Sequence, residues 1–225
     1  MSQIFRPLIW VEGSIASGKS SFAREISKRL NLRLIEEPVG NGEGIENPYL
    51  EKFYKDPAKH AFPMQIYLLH QRYAMQQLAS YEATGVGGYD GAMLDRSLAG
   101  DKVFAKMLME DGFIDPLDYE TYLMAYQYMC RTLLPPTLLI FLDVQPETAF
   151  NRMKKRNRGA ESGVSIEYLI KLRKGYQDLL RDAERCLLPW AHAIRTVRIP
   201  YDFDIHDEKE WDAIALTVKD SCRVI

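Results

Sequence analysis

The feature that most constrains the fold is the octapeptide at residues 13–20, GSIASGKS, which matches G-x-x-x-x-G-K-[ST] at every fixed position. It follows a short apolar run at residues 8–11, and residues 20–30 have helical spacing, so the chain begins with a strand, a loop and a helix. In this setting the pattern predicts a loop whose backbone N–H groups surround the phosphates of a nucleotide.

We call residues 13–20 the phosphate loop. Two of its side chains have predicted roles: Lys19 is expected to reach the β- and γ-phosphates of ATP, and the Ser20 hydroxyl is expected to bind Mg²⁺. ATP and Mg²⁺ are therefore the predicted cofactors. The candidate ATP-binding residues of the loop are Gly13, Ser14, Ile15, Ala16, Ser17, Gly18, Lys19 and Ser20.

Further apolar runs alternate with segments of helical spacing. Strands are predicted at 32–35, 92–94, 138–142 and 196–199, and helices at 61–81, 103–110, 116–133, 146–155 and 165–184. This alternation predicts an α/β fold of the P-loop NTPase class, with a doubly wound parallel five-stranded sheet flanked by helices. Residues 39–47 and 154–163 are predicted surface loops. A length of 225 residues with 47% hydrophobic composition predicts one domain spanning residues 1–225.

Composition excludes several classes of protein. The formal net charge of −2 argues against a nucleic-acid-binding protein. No run approaches the ~18 apolar residues that a membrane span requires. The three cysteines Cys130, Cys186 and Cys222 are widely spaced and form no Cys-x-x-Cys pair, which indicates reduced thiols in a cytoplasmic protein.

The sequence also limits how the bound triphosphate is used. The D-x-x-G and N-K-x-D patterns expected of a GTPase do not occur, so phosphoryl transfer to a small acceptor is the leading interpretation. Glu36, Glu37 and Pro38 follow the second predicted strand, at the edge where open α/β sheets bind ligands. A carboxylate there is suited to accept a proton from an attacking hydroxyl, although Glu-Pro is also common in solvated turns.

The order of these motifs resembles that of the deoxyribonucleoside kinase family, from about residue 9 to about residue 176. The similarity is greatest to the bacterial-type deoxyadenosine/deoxyguanosine kinases. It rests on the phosphate loop, the Glu-Pro pair, the F-x-x-Q helix at 62–65, and the segments NPYLEKFYKDP (47–57), DRS (95–97) and DKVFAKML (101–108).

The resemblance implies residue roles around the acceptor. Glu37 is implied as the base that activates the 5′-hydroxyl, Arg96 as the cation that neutralises charge on the transferred group, and Asp95 as a second Mg²⁺ ligand. Gln65 is implied to read the edge of the base, because an amide offers both a donor and an acceptor. The remaining implied substrate ligands are the Arg72–Asp101 pair at the base, and Tyr54 and Glu161 at the sugar 3′-hydroxyl.

A basic cluster follows the fourth predicted strand and its helix. On composition alone it is either a solvated helix end or a phosphate-binding segment. The resemblance implies an Arg-rich lid at about residues 152–163 that closes over the ATP phosphates and excludes water. The lid arginines are Arg152, Arg156 and Arg158.

The activity implied by the resemblance is transfer of the γ-phosphate of ATP to the 5′-hydroxyl of a deoxynucleoside in nucleotide salvage. Purine deoxynucleosides are favoured and deoxycytidine is a further candidate. A homodimer formed through helices such as 61–81 is also implied. Two alternatives are a nucleoside monophosphate kinase, which would need extra cations for its acceptor, and a non-catalytic ATP-binding protein.

Overall fold

The computed structural model describes residues 6–36, 47–157, 163–190, 194–202 and 207–222. The strands are β1 (Leu8–Gly13), β2 (Arg33–Ile35), β3 (Ala92–Asp95), β4 (Leu138–Asp143) and β5 (Arg195–Pro200). The helices are α1 (Lys19–Arg29), α2 (Leu50–Lys55), α3 (Pro57–Glu82), α4 (Leu98–Glu110), α5 (Pro116–Cys130), α6 (Pro146–Arg156), α7 (Ile166–Glu184) and α8 (Glu208–Cys222).

The five strands form one parallel sheet in the order β2-β3-β1-β4-β5. Strand β1 lies at its centre, with Val11 opposite Asp95 of β3 and Ile140 of β4. Because the strands are parallel, their carboxyl ends share one edge, which is where such sheets bind ligands. The predicted five-stranded parallel sheet is confirmed.

Helices cover both faces of the sheet. Alternate residues of β1 point to opposite sides, so that Trp10 packs with α3, α4 and α7 while Ile9 and Val11 pack with α1 and α8. All six residues of β1 are buried, as expected for the central strand of a doubly wound sheet. Helix α5 lies outside α3 and α4 and packs on them through Tyr122 and Tyr126.

Side-chain caps explain why the helices begin where they do. Asp56 accepts a hydrogen bond from Lys59 N, and Pro57 occupies the first turn, so α3 begins before residue 61. Ser97 accepts from Gly100 N, so α4 begins at Leu98 rather than at the predicted residue 103. Helices α2 and α8 were not predicted from the sequence.

The expected surface loop at 154–163 is partly wrong. Helix α6 continues to Arg156, with Met153 buried in its last turn, and it ends at Asn157 in the left-handed conformation common at helix ends. Among the described residues no helix is long and apolar enough to span a membrane.

Candidate active site

The phosphate loop lies at the carboxyl end of β1 and leads into α1. Gly18 has a φ of 88°, and a Cβ there would lie 2.8 Å from the ring of Tyr201. A Cβ on Gly13 would lie 2.7 Å from Ser17 Oγ and 3.1 Å from Leu142 O. Ala16 has a φ of 56°, a conformation that costs about 1–2 kcal/mol in a residue with a side chain. The loop therefore depends on its glycines and is held in a strained shape.

Lys19 lies inside this loop. Its Nζ donates hydrogen bonds to the carbonyls of Gly13 at 3.0 Å and Ser14 at 2.8 Å, and lies 3.4 Å from Ser17 Oγ. The residue is buried, so the ammonium group is held at the centre of the loop. This position suits a cation that contacts phosphate oxygens.

Ser20 and Asp95 meet at the start of α1. The Ser20 hydroxyl donates to Asp95 Oδ2 at 2.5 Å, which joins the phosphate loop to the end of β3. Asp95 is 4% exposed, and its other oxygen, Oδ1, has no hydrogen-bond partner among the described residues. A buried carboxylate oxygen beside a serine hydroxyl fits the oxygen ligands that Mg²⁺ prefers.

Arg96 follows Asp95 with a φ of 77°. Its Nη1 donates to the hydroxyl of Tyr176 at 2.7 Å, and its guanidinium lies 5.0 Å from the centre of the Phe104 ring. Burial raises the pKa of Tyr176 well above its ordinary value, so the hydroxyl stays neutral beside the guanidinium. Arg96 is thereby held at the carboxyl edge of the sheet.

Glu12, at the end of β1, was missed by sequence analysis. It is fully buried, and its Oε1 accepts hydrogen bonds from Ser97 N at 2.7 Å and Ser97 Oγ at 2.6 Å. The only signal in the sequence is a charge between an apolar strand and the first loop glycine. Its partner lies 85 residues away, a separation that no local pattern bridges.

A buried polar group lies between α3, α4 and α5. Arg72 forms an ion pair with Asp101, and Tyr122 donates a hydrogen bond to Asp101 Oδ2 at 2.6 Å. Gln65 lies two turns before Arg72 on α3, is 1% exposed, and its Oε1 has no partner among the described residues. The predicted pairing of Arg72 with Asp101 is present, whereas Tyr122 was not anticipated.

Tyr54 lies exposed on α2, where its ring contacts the edge of Phe53. Burial raises the pKa of Tyr168, and Tyr54 and Arg96 both contribute to that pKa, with opposite signs.

The predicted lid begins on α6. Arg152 Nη1 donates to the carbonyl of Tyr201 at 2.8 Å, and its guanidinium lies 5.7 Å from the centre of the Tyr201 ring. Since Tyr201 also borders Gly18, Arg152 is joined to the phosphate loop through one residue. Arg156 is exposed at the end of α6.

Three predicted site residues, Glu37, Arg158 and Glu161, lie outside the described residues. Glu36, the last described residue before Glu37, is on the surface and forms an ion pair of 2.6 Å with Arg24. The described part of the site thus contains the phosphate loop, the Ser20–Asp95 contact, Arg96 and the polar group around Asp101.

The chain is similar to proteins of known activity. It is 42% identical over 177 residues to a deoxyadenosine kinase of Dictyostelium discoideum, covering 79% of this chain and 68% of the relative. It is 34% identical over 182 residues to a deoxyadenosine/deoxycytidine kinase of Bacillus subtilis, covering 80% and 79% of the two chains.

A solved structure of a similar protein has the same fold. The solved structure of deoxyadenosine kinase from M. mycoides with bound dCTP superimposes with a TM-score of 0.75 at 28% sequence identity, covering 95% of this chain and 99% of the other. Residues 9–223 match the family described as deoxynucleoside kinase. This match includes the phosphate loop and the whole sheet except Leu8, and the chain belongs to the deoxynucleoside kinase family.

Proposed function

We propose that this deoxynucleoside kinase transfers the γ-phosphate of ATP to the 5′-hydroxyl of a purine deoxynucleoside, with deoxycytidine as a second acceptor. The observation that carries the proposal is the buried polar group of Gln65, Arg72, Asp101 and Tyr122 beside the phosphate-binding edge. Relatives named as deoxyadenosine kinase and deoxyadenosine/deoxycytidine kinase support it.

The chemistry of this polar group favours bases that carry an amino group. Both Asp101 oxygens have partners, Arg72 at one and Tyr122 at the other. Gln65 Oε1 is a buried acceptor, and a buried acceptor is costly unless an N–H or O–H donates to it. Adenine and cytosine present an amino donor where thymine presents a carbonyl oxygen. Thymine has no amino group and only its ring N–H to donate to Gln65, so thymidine is expected to be the least favoured of the four acceptors.

The donor half of the site is proposed to work by positioning and electrostatics. The phosphate loop and Lys19 bind the ATP phosphates, and the lid arginines Arg152, Arg156 and Arg158 neutralise them from the other side. Ser20 and Asp95 would hold Mg²⁺, which when bound neutralises charge on the phosphate oxygens. Removal of divalent cations should therefore abolish turnover.

The acceptor half supplies proton transfer and orientation. Glu37 accepts the proton of the 5′-hydroxyl, Arg96 neutralises charge on the transferred group, and Tyr54 and Glu161 bind the 3′-hydroxyl. The position of Arg96 supports its role at the transferred group. Arg96 directly follows Asp95 at the end of β3, and its guanidinium donates a hydrogen bond to Tyr176.

We further propose that the chain acts as one domain and forms a homodimer. Exposed apolar side chains on the adjacent helices α3 and α5 support the dimer; we call Leu78, Tyr81, Leu117, Met124 and Tyr128 the α3–α5 patch. Aromatic and methionine side chains are enriched at protein interfaces. A cytoplasmic location stays a prediction from the sequence.

The test is ADP release from Mg²⁺-ATP with each of the four deoxynucleosides and their monophosphates. We expect turnover with deoxyadenosine, deoxyguanosine or deoxycytidine, and a loss of kcat of about 100-fold or more in Glu37→Gln. Glu36→Gln is the matched control, since its carboxylate pairs with Arg24 on the surface, and it should retain activity. Turnover of monophosphates alone would support a monophosphate kinase, and no turnover a non-catalytic ATP-binding protein.

A further inference from the structure

Glu12 is a buried carboxylate to which the proposed reaction assigns no part. It is 0% exposed and lies between the sheet and the first turn of α4. One of its oxygens, Oε1, accepts two hydrogen bonds from Ser97, one from the backbone N–H and one from the hydroxyl. Hydrogen bonds to a carboxylate are stronger than neutral ones, so this contact fixes Ser97 firmly.

Ser97 ends the turn that carries Arg96. Strand β3 leaves the sheet after Asp95, and Arg96 N still donates to Val11 O at 3.0 Å. The next N–H along the chain, that of Ser97, is bound by the Glu12 side chain instead of by a strand carbonyl. Arg96 lies between these two contacts with a φ of 77°, a conformation that persists only where its surroundings enforce it.

The surroundings of Glu12 are shaped to hold a carboxylate. A Cβ on Gly100 would lie 2.3 Å from Glu12 Oε1 and 2.5 Å from Oε2, so that the side chain fits only against a glycine. Ser97 caps α4, which places the carboxylate at the positive end of that helix. Packing and charge therefore both favour one position for Glu12.

The Arg96 side chain is held by other residues. Its Nη1 donates to the hydroxyl of Tyr176 at 2.7 Å, and its guanidinium lies 5.0 Å from the centre of the Phe104 ring. The contacts of Glu12 therefore bear on the backbone turn that carries Arg96.

We infer that Glu12 is a positioning residue for the phosphoryl transfer, which it serves by fixing the backbone turn from which the Arg96 side chain projects. This inference rests on the proposed role of Arg96 at the transferred group. Because a small displacement of such a cation lowers transition-state stabilisation more than ground-state binding, loss of Glu12 should lower kcat with little change in KM.

The test is a double-mutant cycle on kcat with Glu12→Gln, Arg96→Ala and the double variant, corrected for the folded fraction. Glu12→Gln should lower kcat roughly 10- to 100-fold, with KM for the deoxynucleoside changed less than about 2-fold. In the Arg96→Ala background the same substitution should change kcat less than about 2-fold, because a residue that acts through Arg96 has nothing left to position.

Gln76→Leu is the structural control. Gln76 is fully buried and joins Trp10 Nε1 of β1, at 2.7 Å, to the carbonyl of Leu134. Its loss should lower Tm and leave kcat within about 2-fold, which separates destabilisation of β1 from misplacement of Arg96. Should Glu12→Gln not fold, Ser97→Ala removes one hydrogen bond at the same oxygen and should give the same non-additive pattern.

Two outcomes would overturn the inference. Equal losses of kcat from Glu12→Gln in both backgrounds would show a general structural role and leave the proposed function intact. An unchanged kcat in Arg96→Ala would overturn both the inference and the role proposed for Arg96.

Discussion

The hydroxyl of Tyr122 determines which polar atoms around Asp101 are left for a ligand. Burial raises the pKa of Tyr122 well above its ordinary value, so the hydroxyl remains a donor to Asp101 at any working pH. Tyr122→Phe leaves one buried Asp101 oxygen unpaired, at a cost of about 1–3 kcal/mol in the free energy of unfolding. The freed carboxylate should also reduce the preference for deoxyadenosine over thymidine by about 10-fold, measured as the ratio of kcat/KM values.

Tyr126→Phe is a matched control for this prediction. Tyr126 lies one turn further along α5 and is buried to a similar degree, but the hydroxyl that donates to Asp101 is that of Tyr122. Its hydroxyl has no conventional hydrogen-bond partner among the described residues, so its removal should leave the base preference unchanged. An equal loss of preference in both variants would mean that Tyr122 acts only by packing.

At the scale of elements, α8 is attached to α1 by packing and by charge. Val218 is fully buried against the sheet, and Arg29 of α1 forms ion pairs with Glu208, Asp212 at 2.7 Å, and Glu25 at 2.8 Å. These partners raise the pKa of Arg29, the hydrogen bond with Glu208 contributing most. Arg29→Ala should lower Tm by a few degrees at low salt while kcat is retained, and the difference should shrink at high salt because salt screens exposed charges.

Arg181→Ala provides the comparison for Arg29. Within the described parts of the chain Arg181 forms a single ion pair, with Asp178 of α7, and its side chain is 60% exposed. An isolated surface pair contributes little, so Tm should hardly change. If both variants shift Tm equally, the three acidic partners of Arg29 do not act as a network.

The sequence was informative where a pattern is local. Apolar runs and helical spacing located all five strands and six of the eight described helices, and the octapeptide located the phosphate loop, because each signal lies within a few consecutive residues. Helix α2 is too short for its period to be read, and α8 is buried through only Ala215, Val218 and Cys222. These two helices can be recognised only once their tertiary contacts are known.

Within the candidate site, too, residues in local motifs were predicted and residues that act through long-range contacts were not. Gln65, Arg72, Asp95, Arg96 and Asp101 were predicted through family motifs, and the structure brings Arg72 to Asp101 and Asp95 to Ser20. Glu12, Tyr122 and Tyr176 escaped prediction. Each contacts a motif residue that is distant in sequence, and a buried tyrosine on an apolar helix face has the same pattern as ordinary core.

At the scale of the whole molecule, α3 has two roles on opposite faces. Its buried face carries Gln65 and Arg72, whereas its exposed face carries Leu78 and Tyr81 of the α3–α5 patch. Apolar side chains left in water lose about 25 cal/mol per Å² relative to burial, so covering this patch with a second copy is favourable. A two-fold interface would place the same patch on both chains.

Size-exclusion chromatography with light scattering tests this arrangement. The wild-type protein should have twice the 26.0 kDa mass of one chain, and Met124→Glu should shift it toward the monomer because the interface would have to bury a charge. Leu216→Glu on α8 is the matched control, since Leu216 and Met124 are both 58% exposed, and it should remain dimeric. A monomeric wild type, or a dimeric Met124→Glu, would contradict an interface through α3 and α5, and the patch would then need a different partner.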